Sequence, residues 1–212
     1  MITEIYVSDT VKIEYKSLEA HTMEKLCKII RIITLAPILA AFSLCMIALF
    51  CTDVFPSWWH FAYMLFFLGV LPLLAYPMQS VTPHFKDKGR DGQRTLAMIY
   101  AVAGYLLCLA TLCFTAPTAD MWLICLEYLL SGVLILIFNK GFHIKLSAHG
   151  CGSAGPIFLL LYFGLYIPAI IMAIITVFAF AASVKAKHHT VPQLIGGSLV
   201  SVLLLFVLAF IF

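Results

Sequence analysis

From residue 33 onward the chain is a succession of apolar runs, each about as long as a bilayer is thick. About 20 apolar residues cross a hydrocarbon core as a helix, the one open structure that satisfies its own backbone groups without water. Of the 212 residues, 63% are hydrophobic and 11% are charged, whereas soluble domains carry roughly 25% charged residues. A soluble fold of this length cannot hide that much apolar surface. The expected fold class is therefore all-α, a polytopic transmembrane helical bundle of six to seven spans. A net charge of +3 is too small to point to nucleic acid as a partner.

Residues 1–32 form a separate N-terminal segment. It is polar at its start and has no signal-peptide pattern, so insertion is expected to use an internal span. SLEAHTMEKLCKIIRI reads as an amphipathic helix with Leu18, Met23, Leu26, Ile29 and Ile30 on one side. Residues 33–212 form one transmembrane domain. Its spans are expected at about 33–51, 59–80 (opened by the interfacial pair Trp58 and Trp59), 95–115, 121–138 and 193–212.

The stretch 148–187 has two readings, one long span or a hairpin broken at GLYIP (164–168) by Gly164 and Pro168. Charge placement favours the hairpin. The loops at 52–58 and 116–120 hold no Lys or Arg, and only with a hairpin do all 13 basic residues fall on one face of the membrane. Seven cysteines form no CxxC pair and read as small buried hydrophobes.

The hairpin has a chemical consequence. It brings KLSAHG (145–150), KAKHHTVPQ (185–193) and GRDGQR (89–94) to one face. Two histidines from different helix ends, with cations and a hydroxyl beside them, are what phosphoryl transfer to an imidazole requires. One neutral histidine attacks phosphorus, a second protonates the leaving oxygen, and cations hold the equatorial oxygens. The glycine-rich helix starting near Ala148 would add N–H groups as an anion site. A metal site from His149, Cys151 and His188 or His189 has no supporting ligand spacing.

These stretches resemble the type-2 phosphatidic-acid phosphatase superfamily, especially its short, divergent bacterial members. Ser147-Ala148-His149 resembles the family's Ser-Gly-His, and His189 with Gln193 keeps the spacing of its His-x-x-x-Asp. KLSAH and HTVPQ resemble the Lys-Ile-Ser-x-His and His-Thr-x-x-Gln of the divergent members, and GRDGQRTL their arginine-rich loop. The resemblance implies His189 as nucleophile, His149 as general acid and Gln193 as the group orienting His189. Lys145, Ser147, Arg94 and Arg90 would bind phosphate.

Ser183 stands where the family has an arginine, so Lys185 or Lys187 would have to replace it. Gln193 stands where the family has a carboxylate. The implied partners are membrane lipids and a lipid phosphate or polyprenyl pyrophosphate substrate, in a bacterial inner membrane. No metal or other cofactor is called for, and oligomeric state is open. A second reading is an inactive relative that binds anionic lipid. A third is a small transporter built around Glu127, an ionisable residue in the middle of a span.

Overall fold

The computed structural model describes residues 33–212. The expected amphipathic helix lies outside them. Among the described residues every regular element is helical. Helix α1 is Ala36–Phe50, and α2 is Trp58–Met78, widened by a π-type turn at Phe66–Val70 just before Pro72. A short α3, Pro83–Lys86, leads into α4, Gly89–Phe114. Next come α5, Ala119–Gly141, ending in a second π-type turn, and α6, Ala148–Tyr162. The chain closes with α7, Tyr166–Lys185, and α8, Val191–Ile211.

Five of these helices are long and apolar enough to cross a membrane: α2, α4 from Asp91, α5, α7 and α8. Helices α1 and α6 have 15 residues each. At about 1.5 Å per residue they reach only about 22 Å, short of a core of about 30 Å. Length and composition thus support a membrane protein with five full-length helices; the six to seven spans expected need α1 and α6 as well. Wide apolar faces on α7 and α8 stay exposed, including Ile167, Val177, Leu203 and Phe210, as lipid-facing helices require. Trp58 and Trp59 are likewise exposed at the start of α2.

The short α6 lies at the centre. It packs on α1, α5, α7 and α8, most extensively on α8. Most of its residues are buried, among them Ser153, Leu159 and Leu160. Small residues make this possible. A Cβ on Gly150 would stand 2.5 Å from the Leu194 carbonyl oxygen, and one on Gly197 would stand 2.1 Å from the Ser147 carbonyl oxygen. Only glycine lets α6 and α8 approach this closely.

The break between α6 and α7 falls where GLYIP predicts one. Gly164 takes φ +72°. Leu165 N–H reaches back to the Leu160 carbonyl (2.8 Å) and Gly164 N–H to that of Leu161 (3.0 Å), a Schellman stop. This turn shares an end of the bundle with the loops that lack basic residues. Cys51 Sγ lies 3.8 Å from the Phe163 carbonyl oxygen, and Thr118 Oγ1 donates to the Val54 carbonyl at 2.7 Å. Helices α6 and α7 therefore form a hairpin, and α7 returns to the basic end. The six described cysteines are free thiols.

Candidate functional site

Two helix N-termini meet at the basic end. Ser147 caps α6, its Oγ accepting from Gly150 N–H at 3.1 Å. Thr190 caps α8, where Gln193 Oε1 accepts the Thr190 N–H at 3.3 Å. Thr190-x-x-Gln193 is thus a capping box before it is anything else. The two caps are joined directly, Ser147 N–H donating to the Gln193 carbonyl at 3.0 Å. Ser198 Oγ adds a bond to the Gly150 carbonyl at 3.2 Å. Two positive helix ends lie side by side, which favours an anion between or above them.

The loop before α6 is fixed by a residue that carried no signal of its own in the sequence. Asn139, in the π-type turn ending α5, accepts the Leu146 N–H (2.6 Å) and donates to the Leu146 carbonyl (3.1 Å). That double bond sets where Lys145 and Ser147 stand. On the other side, α7 ends in a second Schellman turn. Lys187 N–H bonds the Val184 carbonyl and His188 N–H the Ser183 carbonyl, with Lys187 at φ +54°. This left-handed residue turns the chain so that His188 and His189 precede α8 on the side of the caps.

His189 is half-buried, and its pKa is lowered from the ordinary imidazole value. Burial is the largest cause and the Arg94 guanidinium the next. Hydrogen bonding with Gln193 opposes them, while His188 and Lys145 add to the lowering. Arg94 on α4, Lys145 on the α6 loop, His188 and Gln193 are therefore all grouped about His189. The group can hold an unprotonated imidazole nitrogen among cations.

The other candidates have their own surroundings. Ser147 is 1% exposed, and its oxygen already accepts from Gly150, so only its hydroxyl proton is left to offer an anion. The ring of His149 packs against Phe180 of α7, with centroids 6.0 Å apart. Lys185 ends α7, and Arg90 lies one turn before Arg94 in α4. Ser183 contributes its carbonyl to the turn and is no charged partner to His189. No group of three or more His, Cys, Asp or Glu able to hold a metal occurs among the described residues.

Glu127 sits apart, 1% exposed in the middle of the bundle. Ser201 donates to its Oε1, while Oε2 has no hydrogen-bond partner. Since Ser201 is on α8, this bond ties α5 to the helix that carries Gln193.

Fold and site together define an all-helical membrane protein with a cationic, histidine-bearing end. No protein family, curated protein or solved structure matches the chain.

Proposed function

We propose that this chain is an integral membrane phosphatase or phosphotransferase acting on a lipid phosphate or polyprenyl pyrophosphate. The observation that carries this reading is His189, its pKa lowered by burial and by Arg94 and Lys145 beside two helix N-termini, with Gln193 hydrogen-bonded to its side chain. An unprotonated ring nitrogen of His189 attacks phosphorus, forming a P–N bond as the P–O bond to the leaving group breaks, an alcohol from a phosphate ester or a polyprenyl phosphate from a pyrophosphate. His149, in its protonated form, gives its proton to the leaving oxygen. Neutral His149 then takes a proton from water, which attacks phosphorus and releases phosphate and free His189. Arg94 and Lys145 offset the charge on the equatorial oxygens throughout.

We place the protein in a bacterial cytoplasmic membrane, with α1 and α6 completing seven crossings. The positive-inside tendency and the family resemblance support this.

The test is phosphate release from phosphatidate and polyprenyl pyrophosphate by purified protein. His189→Ala is expected to abolish turnover and the acid-labile phosphohistidine; activity surviving that change sinks the nucleophile assignment. A second reading is favoured by Gln193, a neutral group whose oxygen already accepts the Thr190 N–H and which cannot stabilise an imidazolium by charge. On that reading the site only binds anionic lipid. Binding lost in Lys145→Ala, with no turnover of any substrate, would then be found.

A further inference from the structure

Helices α7 and α8 follow one another in the chain, yet each packs on α6 and they make little contact with each other. Between them lies a cleft of about 470 Å³. Val177, Phe180 and Val184 line one wall, Leu194 and Ile195 the other, and Lys185 is its one charged lining residue. Val177 and Ile195 are largely exposed, so the cleft opens sideways, on helices that face lipid.

Its position along the helices matters. The lining comes from the last turns of α7 and the first of α8, so the cleft ends beneath the 186–190 turn that carries His189. Phe180 belongs both to this wall and to the packing around the His149 ring. An apolar slot thus leads to Lys185, beside the turn that carries His189. That is the complement of an amphiphile with an anionic head, and a second helix or protein copy would leave the cationic end unmatched.

We propose that the cleft between α7 and α8 holds an acyl chain of an anionic phospholipid that enters laterally from the bilayer and presents its phosphate at Lys185, Lys145 and His189. The proposal rests on the reading of the His189 cluster as a phosphate site. It adds that the chain, as well as the headgroup, selects the substrate. A water-soluble phosphate ester engages only the cationic half.

The experiment uses the full chain in lipid nanodiscs. Phosphatidate carrying a diazirine on one acyl chain is photolysed beside the matching phosphatidylcholine probe, and labelled peptides are mapped by mass spectrometry. Label from phosphatidate is expected on 177–184 and 191–195, several-fold above that from phosphatidylcholine and competed by unlabelled phosphatidate. Ala181→Phe, on the exposed side of α7, should lower this labelling several-fold, and Lys185→Ala should bring it down to the phosphatidylcholine level. Should Ala181→Phe fold poorly, Ala181→Leu and the wild-type label map carry the test.

Equal labelling by both lipids, or label spread evenly over all lipid-facing helices, overturns the proposal. Labelling requires no turnover, so a selectively labelled cleft without phosphate release sinks the hydrolase reading and leaves the cleft assignment standing. Phosphate release with an unlabelled cleft does the reverse.

Discussion

The imidazole of His189 titrates in a crowd of positive charge. Because its folded pKa lies below the ordinary imidazole value, the unfolded chain takes up the proton first as pH falls. The contribution of His189 to stability is therefore complete above the unfolded value and declines as pH drops through it toward the lower folded value. The same shift favours the unprotonated ring that the proposed nucleophilic role of His189 requires. Arg94→Gln removes the second-largest cause of the lowering, so the His189 resonance in a histidine-labelled NMR titration should move to higher pKa. The acid limb of the activity profile should move with it. No movement in Arg94→Gln would separate the guanidinium from the imidazole. Glu127 is a different kind of residue: its half-satisfied carboxyl costs the fold, and its bond to Ser201 ties α8 to α5, away from the His189 cluster.

At the level of helices and turns, much was legible and some of it was legible in the wrong language. Ser147 and the Thr190-x-x-Gln193 pair read in sequence as phosphate and imidazole chemistry. Their first duty in the structure is to cap α6 and α8, a pattern that capping rules alone can find. The break at Gly164 was visible because a left-handed stop favours glycine. The equivalent stop at Lys187 was not, since lysine gives no such signal. A lysine at φ +54° carries conformational strain that glycine would not. Lys187→Gly is therefore expected to raise stability by up to about 1 kcal/mol, read as a higher unfolding temperature in detergent. If Lys187 also binds phosphate, the same variant loses affinity while gaining stability; unchanged affinity removes Lys187 from the site. The π-type turns and the Asn139 clamp were illegible because no residue pattern marks them; the clamp closes on the Leu146 backbone in the loop before α6.

For the whole molecule, the charge count and the fold lead to one arrangement. Loops without basic residues are tied together at one end by Cys51, Phe163, Thr118 and Val54, and Arg94, Lys145 and His189 gather at the other. Composition and charge placement carried this much, whereas the lengths of α1 and α6 did not follow the 20-residue template. Helices buried inside a bundle need not match the bilayer as lipid-facing ones do. In a cysteine-free background, Lys145→Cys and Lys187→Cys should react with an impermeant maleimide from the same side of sealed vesicles. Labelling from opposite sides would undo the hairpin.

The glycine contacts that weld α6 to α8 have a mechanical meaning. Bonds from Ser147 to Gln193 and from Ser198 to Gly150 cross that seam at its top, so the two caps form a fixed anvil. Accommodation of the lipid proposed for the cleft would then fall to α7, a single helix strung between two left-handed corners at Gly164 and Lys187. Stiffness belongs to the seam, and compliance to the helix that leans on it.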